Sequence, residues 1–191
     1  MNYQKALSIL LGFGLLTMAC KTQMVEKLDD FNLESGGYMR TVTPYPVAAS
    51  TFSVSKANMA GTKMELVAEA VTPNQGSLLA SYDLTIKFVD ATPANGTKTT
   101  AEVPLKSIPA SAYAKDPQTG YPRATISVTG AEALTATKLT NEDISAGDRF
   151  EINAVMRLTN GKSFTAKNTG LNITGGAFYS SPFFYRLNVV Q

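Results

Sequence analysis

The sequence predicts an all-β protein, a single antiparallel β-sandwich of about seven strands. Three observations carry that expectation. Apolar and polar residues alternate strictly in Tyr82-Asp83-Leu84-Thr85-Ile86-Lys87-Phe88 and in Ala124–Thr129. Phe150–Leu158 does the same, with Val155 the one apolar residue on its outer face; this is the period of strands with one buried side. Turn signals separate the runs: Asn74-Gln75-Gly76, Asn95-Gly96, Gln118-Thr119-Gly120 and Asn160-Gly161. Only Ala131–Leu139 could be helical, and Thr135 and Thr137 make it a short, poor helix.

Taken in order, the chain opens on a leader. Met1–Lys5 carries one positive charge and Ala6–Leu16 is an apolar run of signal-peptide length. That run falls short of the ~20 residues a bilayer needs. Leu15-Leu16-Thr17-Met18-Ala19-Cys20 then places a small residue before the only cysteine. The pattern resembles the lipobox of bacterial lipoproteins, although Thr17 stands where leucine is usual. It implies removal of residues 1–19, lipid on Cys20 and anchoring to a membrane; an ordinary secretory signal with a stray cysteine is the alternative. Residues 20–35 read as a polar tether, with Glu26, Asp29, Asp30 and Glu34 and no period-two pattern.

From Gly36 to Gln191 the text is β. Tyr38–Thr43 and Thr99–Leu105 are the less regular candidates, and Pro104 puts the latter at a sheet edge because it has no N–H to give. Met64–Glu69 alternates less cleanly, and Tyr185–Val189 closes the chain as a strand. The inward face should hold Tyr82, Leu84, Ile86, Phe88, Ile126, Val128, Phe150, Ile152, Met156, Leu187 and Val189. Asn95-Gly96 and Asn160-Gly161 are expected to form type I′ hairpin turns.

Composition excludes several chemistries. Seventeen basic residues face fifteen acidic ones, and loss of Lys5 with the leader leaves one positive charge in excess. That balance leaves no electrostatic footprint for nucleic acid. Histidine and tryptophan are absent. The usual general base, the commonest transition-metal ligand and every Ser-His or Cys-His pair go with the histidine. No disulfide can form with one cysteine, and nothing implies a cofactor. Glu142, Asp143 and Asp148 lie near one turn and could flank a sugar as a glycosidase pair does. Thr140 followed by Asp143 reads instead as a cap, so the chain is expected to be non-enzymatic. Asp116–Gly120 has hard oxygen donors near a glycine but not the spacing of an EF-hand loop.

Glycan binding rests on aromatic residues outside the alternating runs. Tyr113 and Tyr121 flank a loop rich in proline and glycine, and Phe178, Tyr179, Phe183, Phe184 and Tyr185 surround Ser180-Ser181-Pro182. A phenol offers an apolar face and a polar tip, which suits sugar rings. Tyr113, Tyr121 and Tyr179 are therefore the candidate ligand-binding tyrosines, with Asp116 and Arg123 to bond hydroxyls. The competing reading makes these aromatics plugs for the ends of the sandwich.

Two resemblances sharpen the picture. Ile144-Ser145-Ala146-Gly147-Asp148-Arg149-Phe150-Glu151-Ile152-Asn153-Ala154 resembles the turn into the sixth strand of fibronectin type III domains, with Phe150 at the tyrosine position. That substitution removes the hydroxyl of the tyrosine corner. The lipobox, Glu34–Val42 and Gly175–Phe183 together resemble small Bacteroidetes lipoproteins of Sus-type uptake systems, including the SusE-like group with an N-terminal immunoglobulin-like domain. The resemblance implies an immunoglobulin-like or fibronectin-III-like sandwich, residence in the outer membrane at the cell surface, and accessory work beside a SusC/SusD-like transporter. SusE-like proteins continue into carbohydrate-binding domains that this chain lacks, which favours a spacer or docking role over direct polysaccharide binding. An adhesin subunit that donates or accepts a strand is a further alternative.

Overall fold

A computed structural model describes residues 37–174 and 182–191. Cys20, the tether and Tyr179 lie outside the described residues. The remainder is an all-β sandwich. One sheet has the order β1 (Tyr38–Thr43), β3 (Lys63–Val71), β7 (Pro122–Thr129), β6 (Ala114–Lys115). The other runs β2 (Phe52–Ser55), β10 (Phe184–Val190), β8 (Arg149–Leu158), β4 (Leu79–Val89), β5 (Val103–Pro109), and β9 (Ser163–Phe164) pairs with β8. Neighbours are antiparallel except β2, which lies parallel to β10. Among the described residues ten strands replace the expected seven or so, because β2, β6 and β9 are only two to four residues long.

Alternation decides which face is buried. Every residue expected to point inward does so: Tyr82, Leu84, Ile86 and Phe88 from β4, Ile126 and Val128 from β7, Phe150, Ile152 and Met156 from β8, Leu187 and Val189 from β10. Phe88 and Phe150 are cross-strand partners with ring centroids 5.1 Å apart. Such a pair adds roughly 1 kcal/mol beyond the area it buries. The opposite layer supplies Met39, Met64, Leu66, Ala68 and Ala70.

Within this apolar interior sits a small polar knot. Tyr82 and Tyr185, both fully buried, bring their hydroxyls to 3.1 Å from each other. Thr41 of the other sheet lies 3.1 Å from the Tyr185 hydroxyl. Both phenols reach the Pro182 carbonyl, Tyr185 at 3.1 Å. All three hydroxyls are satisfied when Thr41 donates to Tyr185 and the phenols donate to Pro182. Burial pushes the Tyr82 phenol well above the ordinary tyrosine range and raises that of Tyr185 as well, so the knot is neutral at physiological pH.

The longest helix among the described residues, α1 (Gly130–Thr137), falls where the sequence expects it, on the crossing from β7 to β8. It starts with a capping box: Thr129 accepts from the Glu132 amide, and the Glu132 carboxylate accepts from the Thr129 amide. A second short helical turn, α2 (Leu171–Thr174), follows β9.

Two turns differ from the expectation. Asn160-Gly161 is not a type I′ turn, which needs positive φ at both central residues. Only Gly161 is left-handed (φ +84), the Gly161 amide bonds back to Leu158 at 3.1 Å, and the Leu158 amide bonds Lys162 at 2.9 Å. This is a type I turn with a glycine bulge. Asn95-Gly96 ends the 3₁₀ turn Pro93–Asn95 inside a long connection rather than closing a hairpin. β5 accordingly starts at Val103, not Thr99. Thr100 still bonds Phe88 through its amide and accepts the Phe88 amide at its hydroxyl, which accounts for the strand-like pattern there. Pro104 lies on an edge strand, as it must.

The β3–β4 turn is the tightest point. Asn74, Gln75 and Gly76 are all left-handed, and a Cβ on Gly76 would stand 2.2 Å from Pro122 Cδ. Gly76→Ala is therefore expected to destabilise the domain by about 2–4 kcal/mol, combining left-handed strain with overpacking. Chemical denaturation measures it.

Candidate functional site

The outer face of the β1-β3-β7-β6 sheet brings two of the candidate residues together. Register sets Arg40 directly opposite Glu69 and Glu69 directly opposite Arg123, one row across three strands. Arg40 Nη2 lies 2.7 Å from Glu69 Oε1, and Arg123 Nε lies 2.7 Å from Glu69 Oε2. The second arm of Arg123 reaches Asp116 Oδ2 at 2.7 Å. Thr119 adds a bond to Glu69 at 3.2 Å. Glu69 is left 2 % exposed on what would otherwise be a solvent face.

The β6–β7 turn fixes Asp116 from its other side. Oδ1 accepts from the amides of Gln118 (3.1 Å) and Thr119 (2.8 Å) and from the Thr119 hydroxyl (3.1 Å). The Thr119 amide foremost, with the Arg123 charge behind it, holds the Asp116 carboxyl below the usual carboxylate range. Asp116 and Arg123, expected to bond ligand hydroxyls, instead bind each other, and Arg123 also binds Glu69. Neither is aimed outward at a ligand, and the arginine beside Asp116 opposes a cation there. Among the described residues no three Asp, Glu or Cys side chains are grouped to hold a metal.

Tyr113 and Tyr121 do not share a surface. Tyr113 follows the 3₁₀ turn Ala110–Ala112, packs against the core and buries its hydroxyl with no hydrogen-bond partner. Burial, with the nearby Tyr185 phenol, pushes its pKa upward. Its polar tip points into the protein, so the plug reading describes it. Tyr121 is half-buried and lines a groove of about 500 Å³ with Tyr38, Val71, Pro73, Phe164 and Ile173. The turn at Asn168 forms its rim. Asn168 Oδ1 accepts from the Thr165 amide at 2.6 Å and its Nδ2 donates to Ser163, so that amide is engaged in its own loop.

Two of the acidic residues before β8, Asp143 and Asp148, are engaged by neighbouring amides and side chains. Asp143 caps Asn141–Asp143, accepting from the Thr140 amide at 2.8 Å, and pairs with Lys98 at 3.2 Å. Asp148 is 1 % exposed. It accepts from the Ala91 amide (2.9 Å), the Thr92 hydroxyl (2.8 Å) and the Ser145 amide (2.7 Å). It ties the loop after β4 to the turn before β8.

Neither Glu69 nor Arg186 stands in a motif of the sequence. Outward placement of Glu69 was readable from β3 alternation, but its two arginines depend on pairings no single strand reveals. No protein-family model matches the chain, and no curated protein matches it.

Several carboxyls lie low. Burial raises Asp83, Glu132 and Glu151, yet bonds from Ser107 and Arg157, from Lys106, and from Lys87 and Arg149 outweigh it. Asp143 is lowered first by the Thr140 amide, then by Lys98. Such groups bind protons more weakly folded than unfolded, so acid favours the unfolded chain. With no histidine present, Tm should stay flat from about pH 5.5 to 8 and fall progressively below about pH 4.5. Scanning calorimetry across that range checks it, and a transition near pH 6.5 would contradict it.

Proposed function

We propose that this chain is a non-catalytic accessory subunit of a Sus-type outer-membrane uptake complex, held in the membrane through lipid on Cys20. The observation that carries the reading is the apolar leader ending in the only cysteine. The resemblance of Glu34–Val42 and Gly175–Phe183 to SusE-like lipoproteins supports the choice of partner. The disposition of the carboxylates supports a spacer or docking role. Glu69, Asp116, Asp148 and Glu151 are each engaged by arginine, lysine or amide donors, where a hydrolase needs two facing one substrate. The strand order supports an immunoglobulin-type reading of the sandwich: β1-β3-β7-β6 runs as strands A-B-E-D do, and β10-β8-β4 as G-F-C.

A second reading, a small glycan-binding lipoprotein, is favoured by the groove beside Tyr121. Its aromatic lining suits stacking on a sugar ring. Tyr113 lends it no support, because its hydroxyl faces inward.

Cys20→Ser should move the protein from the membrane to the soluble fraction, and unchanged fractionation would count against the anchor. Affinity capture of the full chain from native membranes should recover a TonB-dependent transporter or its SusD-like lid; recovery of neither defeats the accessory reading. Tyr121→Ala should abolish retention on polysaccharide gels if the glycan reading holds, while costing little thermal stability, since the ring is only half-buried. Retention unchanged by that variant removes the groove from consideration.

A further inference from the structure

Arg186 is the one described arginine with neither an acid nor a hydrogen-bond partner. Register places it directly opposite Glu151, the obvious mate. Both Glu151 oxygens are already taken, by Lys87 Nζ at 2.9 Å and Arg149 Nε at 2.9 Å. Lys87 and Arg149 thus share that carboxylate, and Arg186 beside it in the row adds a third positive charge with no acid of its own. The Arg186 guanidinium turns instead over the Phe184 ring, 5.8 Å from its centroid, and its Nε is shut off from solvent with no acceptor. A guanidinium is seldom left that way.

It stands in a pocket of about 270 Å³ whose other walls are Val47, Ala48, Ala49 and Phe184. The pocket exists because β2 is short. Its pairing with β10 begins only at Phe52 beside Leu187, so residues 47–49 approach β10 without continuing the ladder. The Ala154 amide bonds the Phe183 carbonyl, which makes Phe184 and Asn153 a non-hydrogen-bonded pair. Phe184 therefore directs its own N–H and C=O away from β8, toward the side where β2 has not begun.

We propose that this pocket takes an acidic side chain of a polypeptide partner bound in extended form along Phe184–Arg186. The carboxylate meets the Arg186 fork, and the partner's main chain uses the Phe184 N–H and C=O. The walls decide between a peptide and a uronic acid. Apart from Arg186 they are apolar, matching a carboxylate on an aliphatic arm. A sugar acid carries a hydroxyl on nearly every ring carbon and finds no side chain here to bond them. The site is separate from the groove at Tyr121 and does not depend on which transporter, if any, the chain serves.

The test is fluorescence anisotropy with the detergent-solubilised full chain and a labelled peptide, acetyl-Ala-Glu-Val-Glu-Ala-amide. Saturable binding is expected, weaker by tenfold or more when glutamine replaces glutamate in the peptide. Arg186→Gln should lose tenfold or more in affinity with Tm essentially unchanged, because the native side chain makes no hydrogen bond to lose. Ala48→Trp, which fills the pocket and leaves Arg186 in place, should abolish binding and serves if Arg186→Gln does not fold. Absence of saturable binding, or equal affinity in Arg186→Gln or Ala48→Trp, overturns the proposal. So does a galacturonate trimer that displaces the peptide and binds more tightly than it.

Discussion

A phenol hydroxyl that enters an apolar core without a partner, as that of Tyr113 does, forgoes a bond at a cost of about 1–3 kcal/mol. Tyr82, Tyr185 and Thr41 solve this jointly, and their solution joins the layers. Thr41 comes from β1 in one sheet, the two tyrosines from β4 and β10 in the other. The Pro182 carbonyl is the common acceptor, so the chain entering β10 is fixed by the same bonds. Apolar packing tolerates small slips between sheets, whereas these bonds do not. The spacing of the layers and the entry of the last strand both follow from the knot.

Polar groups on the outer surfaces follow a related logic. Glu69 is nearly inaccessible on a face that period two assigns to solvent, and it tolerates this because arginines on both neighbouring strands stand opposite it. Asp148 is buried on the same terms, with three donors from two loops. Arg186 breaks the pattern: its cross-strand acid is committed elsewhere, and a ring face is what it has. Removing one partner from a satisfied buried group is costly, so Glu69 and Asp148 belong to the scaffold. A group that lost the competition for partners is where a ligand has something to gain.

Strands long enough to repeat their period were legible in the sequence. β4, β7 and β8 carry the alternation over eight to eleven residues, and their inward faces are those expected. β2, β6 and β9 were not, because two to four residues cannot establish a period and their pairing is set by neighbours. Asn-Gly pairs mark a change of direction without fixing the turn: at residue 160 the bulge satisfies the same strands with one left-handed residue instead of two. The candidate site was legible only in part. Asp116 and Arg123 are close in sequence and meet in space, yet their common partner Glu69 comes from a distant strand. The inward tilt of Tyr113 depends on the chain passing between sheets, which no local pattern encodes.

The parallel ladder between β2 and β10 has a mechanical consequence. Leu187 lies beside Phe52 and Val190 beside Ser55, so the two strands point the same way. A pull that draws the chain before Phe52 one way and the chain after Val190 the other slides these strands along their length. Their hydrogen bonds are then loaded in shear, all at once, instead of parting one by one as in a peeled hairpin. Resistance of that kind is set by the rate of forced unfolding rather than by equilibrium stability. Tension transmitted end to end would meet its barrier at this four-residue seam.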